Sequence, residues 1–323
     1  MKKPQKEHVY MRKLKNIMLM LAAFVLATSC IKEDYDDCDN VTIYFQYLAD
    51  GNTDVLYRYM SKVDLYVFDE GGHLLGSRQY NQDELSNFSA KPSFKLPAGG
   101  RYKVVAVGNA YDDTEVVNLT ATDFSDIYIQ SPNWGDATPD VVTCHDHNYM
   151  GQKEFFVPGG EGVMYRDTVT LYSSHVNVSV EVHGLPAPTR ANEGIYQLSF
   201  ENSNAQTSFN NEVNSDEKGT IYPDLVWDAA ANCYRTDNLA LFRMDTEGTL
   251  SSDLCCHELV LTDTTTGEEL IRGSIYNYLQ RYDDEIDVTR QEANLPISIN
   301  FYGVNAVIEL PSWVIVGGKP DWN

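Results

Sequence analysis

Apolar and polar residues alternate along much of the chain after residue 40, and this alternation predicts β-strands. The clearest example is the stretch from His175 to His183, in which four valines alternate with polar side chains. A period of two places the valines on one face of a sheet and the polar residues on the other. Residues 41–47 and 63–68 repeat the pattern, and the turn cluster at residues 69–72 predicts a hairpin after the second of them.

Strands separated by turns, with few convincing helices, predict an all-β chain built from two tandem β-sandwiches. The pattern breaks at residues 184–189, where one glycine and two prolines cannot continue a central strand. We therefore expect an N-terminal sandwich domain over residues 41–183, a linker over 184–194 and a C-terminal sandwich domain over 195–323. The length of 323 residues is long for one domain and sufficient for two.

The first 29 residues are typical of a signal peptide. Basic residues are followed by an apolar run over residues 17–27, which is too short for a membrane-spanning helix of roughly 20 residues. An ordinary secretory signal and an anchor helix that ends near a cysteine stay open as alternatives. Translation could begin at Met1 or at Met11.

Small residues precede Cys30, and this segment resembles a bacterial lipoprotein signal. Cleavage would make Cys30 the first mature residue, with lipid attached to its thiol and residues 30–40 forming a charged tether. Ala27 departs from the commonest pattern, which has leucine there. Two or three acyl chains give stable attachment, because each buried methylene contributes about 0.8 kcal/mol.

Lys32, Glu33 and Asp34 follow the predicted lipid site directly. A basic residue followed by acidic ones at this position resembles the signal that exports Bacteroidetes lipoproteins to the outer face of the outer membrane. A generic hydrophilic spacer is the alternative.

The chain is strongly acidic, with 47 Asp and Glu against 24 Lys and Arg and a net charge of −23. The predicted signal peptide is basic, so the mature chain would be more acidic still. Such a chain would be repelled by phosphate backbones, which argues against a nucleic-acid partner.

Catalytic motifs are absent from the sequence: it holds no Gly-x-Ser-x-Gly, no His-Glu-x-x-His, no phosphate-binding glycine loop and no paired Cys-x-x-Cys. We predict no enzymatic activity, no small-molecule substrate, no metal and no cofactor beyond the covalent lipid. The motif Cys144-His145-Asp146-His147 offers four metal ligands in a row. In an extended segment only His145 and His147 point the same way, and a polar surface loop is the favoured interpretation.

The six cysteines do not form a regular framework. Two interpretations of the cysteines stay open. One is a disulfide from Cys233 to Cys255 or Cys256, and the other is a set of free buried thiols. Two acidic groups, at residues 34–39 and 283–287, lack the spacing of a calcium loop and are interpreted as solvated segments.

Several segments together resemble one family. They are Cys30 with the Asp-rich tether to Cys38, residues 63–72, residues 94–97 followed by 102–109, the strand 176–182 before Gly184, and the last strand with Trp313. With these segments the chain is similar to the Bacteroidetes fimbrial anchor lipoproteins of the FimB type.

The resemblance implies two transthyretin-like sandwiches that hold a fimbrial shaft on the outer membrane and limit its length. It also implies assembly by donor-strand addition, with the shaft subunit as partner and the acceptor groove expected in the first domain. A surface glycan-binding lipoprotein is the alternative, since 21 tyrosines and four tryptophans could supply sugar-stacking rings. A secreted hydrolase is a third alternative, for which the sequence contains no catalytic motif.

Overall fold

The computed structural model describes residues 39–86, 93–132, 134, 142–160, 163–189, 195–236, 238–246, 249–250 and 256–316. Strands dominate these residues, as the alternation predicts, and the all-β fold class is confirmed. The strands are β1 Val41–Gln46, β2 Lys62–Asp69, β3 Leu74–Asn81, β4 Ser93–Phe94, β5 Arg101–Gly108, β6 Glu115–Val117, β7 Tyr128–Gln130, β8 Tyr149–Phe156, β9 Tyr165–Thr170, β10 Tyr172–Ser173, β11 His175–His183, β12 Tyr196–Asn204, β13 Gln206–Ser208, β14 Lys218–Ile221, β15 Val226–Asp228, β16 Cys233–Arg235, β17 Leu239–Phe242, β18 Asp245–Thr246, β19 Thr249–Leu250, β20 Glu258–Asp263, β21 Glu268–Ser274, β22 Asn294–Tyr302 and β23 Asn305–Glu309.

Helices in the described ranges are short. They are α1 Leu56–Tyr59, α2 Gln82–Ser86, α3 Ile275–Arg281, α4 Ser312–Val316 and a 3-10 helix at Phe124–Asp126. Ser274 caps α3, because its hydroxyl accepts a hydrogen bond from the Asn277 amide.

The first sandwich packs a three-stranded sheet, in the order β4-β1-β9, against a five-stranded sheet, in the order β10-β8-β5-β2-β3. Val41 and Ile43 of β1 meet Leu65 of β2 and Val104 of β5 in its core. The strand β5 is buried on both faces, which explains its unbroken apolar run.

A second core lies on the other face of the five-stranded sheet. Val105 and Val107 pack there against Ile129 of β7 and against Phe209 and Phe242, which come from the C-terminal half of the chain. β13 also pairs with β7 in a small sheet. The two halves of the chain therefore share a hydrophobic core and backbone hydrogen bonds.

The second sandwich is built around β11. Its larger sheet has the order β15-β16-β11-β22-β23, with β17 also paired to β11, and a four-stranded sheet has the order β14-β12-β20-β21. All four valines of β11 are buried in the core between the sheets, as the alternation predicts.

The pairing of β11 differs from the expected division of the chain. The sequence pattern assigns this strand to an N-terminal domain over residues 41–183, yet the strand pairs with β16, β17 and β22, all of which follow the expected linker. Residues 184–189 lie at a turn on the path from β11 to β12 in the opposite sheet, and Gly184 adopts a φ of +83° there. A turn signal marks where a strand ends, but it does not report which strands become its neighbours.

Candidate functional site

The residues predicted to carry the lipid and the export signal lie outside the described part of the chain. These are Cys30, Lys32, Glu33 and Asp34, and the description begins at residue 39. None of the helices within the described ranges is both long and apolar enough to span a membrane.

One contact between the two sandwiches, called the joint below, lies at the end of β1. β1 runs from Val41 towards Tyr47, whose hydroxyl donates a hydrogen bond to Glu292, two residues before β22. Nearby, the Gln291 amide donates to Asp50 Oδ1 at 3.0 Å, and Arg290 Nε lies 3.4 Å from Asp50 Oδ2. The end of the first strand of one sandwich therefore contacts the segment that starts a central strand of the other.

This arrangement defines two poles. Residue 40 enters at the end of β1 that lies away from the joint, which we call the tether pole. β11 begins at His175 beside the joint, and β22 runs parallel to it and ends at Tyr302. The turn between β22 and β23 therefore lies at the end of the second sandwich away from the joint, which we call the distal pole.

Glu292 is the polar centre of the joint. Tyr149 donates to its Oε1 at 3.1 Å, beside the bond from Tyr47. Burial raises the pKa of the Glu292 carboxyl. The pKa of each tyrosine is also raised, first by burial and then by the nearby carboxyl, so both hydroxyls remain donors. Two donors from the first sandwich thus satisfy one acceptor from the second.

Arg243 holds the segment that presents Glu292. Its guanidinium is buried and donates to the carbonyl oxygens of Val288, Thr289 and Arg290 at 2.9–3.1 Å. Three hydrogen bonds to consecutive carbonyls fix the backbone of this loop, because a guanidinium presents its donors in a rigid fork.

Aromatic rings form a separate contact between the two halves of the chain, on the outer face of the five-stranded sheet. The Phe209 ring, just after β13, lies 5.3 Å from the ring of Tyr66 and 6.3 Å from that of Phe68, measured between centroids. Both partners belong to β2 of the first sandwich. Edge and tilted contacts of this kind add to the free energy gained from burial.

The motif Cys144-His145-Asp146-His147 lies at the joint instead of in the expected surface loop. His145 is buried and stacks on Phe242 with centroids 3.9 Å apart, and burial lowers its pKa to about 3. Asp146 Oδ2 accepts from the amide of Tyr111 and the hydroxyl of Thr114. Within the described ranges, His, Cys, Asp and Glu side chains do not gather in threes around a common point.

Two partly or fully buried cysteines of the described chain, Cys144 and Cys233, have free thiols. Cys233 is buried in β16 and forms no disulfide with another cysteine of the described ranges. Cys144 donates to Asp113 Oδ2 at 3.5 Å, and burial raises the pKa of its thiol to about 11. A raised pKa leaves this thiol protonated and unreactive.

An open cleft of about 860 Å³ lies over the end of the five-stranded sheet that faces the tether pole. Its lining includes Lys103 and Glu154, the half-exposed ring of Phe156, and Asn210 from the second sandwich. Lys103 Nζ lies 3.8 Å from the centroid of the Phe124 ring. A cationic and an anionic side chain beside one exposed ring offer hydrogen bonds and a stacking surface that suit a polar ligand such as a sugar.

No local pattern in the sequence marks the residues of the joint. Tyr47 and Glu292 are 245 positions apart, and neither belongs to a motif. The nearest signal is a charged residue two positions before an apolar strand, which is common on protein surfaces.

Solved structures of the same fold come from Bacteroides and Porphyromonas species. A candidate adhesin from Bacteroides ovatus has a TM-score of 0.62 at 16% identity, with 88% of this chain and 96% of that one covered. The fimbrial anchor protein Mfa2 from Porphyromonas gingivalis has a TM-score of 0.58 at 16% identity, covering 84% and 95%. A candidate polysaccharide-binding protein from Bacteroides thetaiotaomicron has a TM-score of 0.58 at 17% identity, covering 83% and 95%.

Comparison with curated protein sequences gave no significant match. The family model described as Mfa2, fimbrillin-A associated anchor proteins Mfa1 and Mfa2, matches residues 35–317, which is most of the chain. This is a family of anchor proteins and not a class of enzymes, in agreement with the lack of catalytic motifs. The chain belongs to the family of fimbrillin-A associated anchor proteins Mfa1 and Mfa2.

Proposed function

We propose that this protein is an outer-membrane lipoprotein that holds a fimbrial shaft on the cell surface and takes part in fimbrial assembly and length control. The observation that carries the proposal is that the tether pole and the distal pole are the ends, away from the joint, of two sandwiches that share a core. A pull on the distal pole would pass through the joint to the tether. Family membership supports the same role.

The lipid on Cys30 attaches the protein to the membrane. The test is Cys30→Ala in the native host, with Cys38→Ala as a matched control in the same tether. The protein and the shaft should both move from the cells to the culture fluid in the first variant only. If the variant protein stays membrane-bound and the shafts stay on the cells, the lipid and anchoring roles are both refuted.

The outward orientation depends on Lys32, Glu33 and Asp34. Replacing them with Gln, Gln and Asn should leave the protein in the outer membrane but protect it from proteinase K added to intact cells. Replacing Asp36 and Asp37 with Asn removes charge from the same tether and should have no such effect. Equal digestion of both variants would mean that the three residues act only as a spacer and carry no export signal.

The protein binds the shaft by donor-strand addition, in which a strand of the shaft subunit pairs with a strand of this protein. Backbone pairing suits a permanent joint because it satisfies a row of exposed N–H and C=O groups at once. The shaft subunit should co-purify with this protein from detergent-solubilised membranes. A strain that lacks the protein should release shafts, and they should be longer than normal.

Glycan binding is the second candidate, and the cleft with the half-exposed Phe156 ring favours it. Mobility in a native gel containing host or bacterial polysaccharide should then fall, and Phe156→Ala should restore it. Tyr172→Ala, which removes a similarly exposed ring from β10, is the control. Unchanged mobility of the unmodified protein in every polysaccharide would exclude this candidate.

A further inference from the structure

The hairpin formed by β22 and β23 exposes apolar side chains at the distal pole. Val304 is fully exposed at 100%, Tyr302 at 64% and Val307 at 40%. Residues 302–308, called the distal hairpin below, carry no charged side chain although the chain as a whole has a net charge of −23. A neutral apolar tip on an acidic molecule is a place where another acidic protein can approach without strong repulsion.

β23 is also an edge strand that lacks the usual protection. Among the described edge strands of five or more residues, β3 carries Arg78, β9 carries Arg166 and Asp167, and β21 carries Glu268, Glu269 and Arg272. β23 has a single charge, Glu309, at its last position. Proteins place charges on edge strands to prevent pairing with other chains, so an edge without them is suited to accept a strand.

The turn that closes the distal hairpin fixes which backbone groups face outward. Tyr302 pairs with Asn305 across a two-residue turn, and Gly303 takes the first central position with a φ of +70°. Hydrogen-bonded and non-bonded pairs alternate from this point along an antiparallel ladder. The N–H and C=O groups of Ala306 and Ile308 are therefore turned away from β22.

We propose that an extended segment of the fimbrial shaft subunit adds as a strand along β23, with its side chains covering Tyr302, Val304 and Val307. This inference rests on the proposed function and names the surface through which it acts. The acceptor is then an edge of the second sandwich and not the groove expected in the first, where β9 pairs with β1 along its whole length and β4 pairs with its first two residues, Val41 and Thr42.

The position of the tether identifies the occupant. The tether of residues 30–40 can extend by at most about 40 Å when fully stretched. It joins the described chain at the tether pole, so the membrane lies beyond that pole. A shaft that leaves from the distal pole points away from the membrane, whereas a partner bound near the tether pole would be confined against it.

Ala306→Pro tests the backbone pairing. Proline removes the N–H of Ala306 that faces away from β22, and an edge strand tolerates proline at such a position. Ala306→Ser keeps the N–H and is the matched control. In the native host, Ala306→Pro should lower the amount of shaft retained on cells at least about tenfold, while Ala306→Ser should retain it. Surface amount and melting temperature of both purified variants check that they fold.

Val304→Asp gives a test that does not depend on the stability of β23, because the side chain contacts solvent only. It should also reduce shaft retention, and Tyr172→Asp on the exposed strand β10 should not. A photo-crosslinking amino acid at position 304 should yield a product that reacts with antibody raised against purified shafts.

The outcomes separate this inference from the proposed function. If removal of the whole protein leaves shafts on the cells, the proposed function fails. If removal releases the shafts but Ala306→Pro and Val304→Asp retain them as the unmodified protein does, only the assignment to β23 is overturned. A dimer in solution that Ala306→Pro converts to monomer would assign the edge to a second copy of this chain and would also overturn the proposal.

Discussion

At the scale of single residues, the joint depends on buried polar groups that satisfy one another. Glu292 accepts from two tyrosines, and Arg243 donates to three carbonyls of the loop before it. A buried carboxyl or hydroxyl that lacks a partner costs about 1–3 kcal/mol. Such groups contribute less net stability than they would cost if left unpaired, so they select one alignment of the two sandwiches.

Glu292→Ala should therefore lower the free energy of unfolding by about 1–3 kcal/mol, because two buried hydroxyls lose their acceptor. Glu292→Gln keeps an acceptor oxygen and should lower it less. Urea denaturation measures both, with the exposed Glu154→Ala as a control for loss of a carboxylate. Equal losses from Ala and Gln would mean that the tyrosine contacts do not stabilise the joint.

At the scale of elements, the short strand β13 connects the two halves. It belongs to the second half of the sequence but pairs with β7, and Phe209 directly after it enters the core shared with the first sandwich. A strand pairing of only three residue pairs would be weak without other contacts. The buried ring holds the strand in place.

Phe209→Ala should cost about 3–5 kcal/mol of stability, as expected for loss of a buried aromatic ring and the cavity left behind. Hydrogen exchange should increase at β7 and β13, whereas the long pair of β11 and β22 should remain protected. The control is Phe156→Ala, which removes a half-exposed ring. An increase spread evenly over both sandwiches would contradict the local role of this strand.

At the scale of the whole molecule, stability should depend on pH through buried histidines. Burial lowers the pKa of His145 and His175 to about 3 and that of His257 to about 4. In the unfolded chain these groups bind protons below about pH 6.5. The stabilisation is therefore complete above that pH and is lost as the pH falls from about 6.5 towards 3–4, because only the unfolded state takes up the protons.

We expect the free energy of unfolding to fall below pH 6.5 with a slope of up to about 1.4 kcal/mol per pH unit for each buried histidine. His145→Asn should reduce the slope, and replacing the exposed His73 with Gln should not. Between pH 6.5 and 5 the carboxyl groups with lowered pKa, such as Asp167 and Asp287, do not yet take up protons. A slope that is unchanged in His145→Asn would refute the assignment.

Properties that depend on local order could be predicted from the amino-acid sequence. A period of two reports which face of a strand is buried, so residues 41–47, 63–68 and 175–183 could be recognised as strands, and the valines of β11 as core. Turn residues report where strands end, and together these signals predicted an all-β chain. The predicted lipid site and export signal likewise rest on a contiguous pattern before residue 39.

Which strands are neighbours follows from the folded arrangement and not from any one segment. The partners of β11, the contact of Tyr47 with Glu292 and the burial of His145 join residues that are far apart in the sequence. Strand pairing depends on how all the apolar faces are covered at once, and alternation within one strand carries no information about that. The exposure of Val304 is of the same kind, since a valine in a turn and a valine in a core strand differ only in what surrounds them.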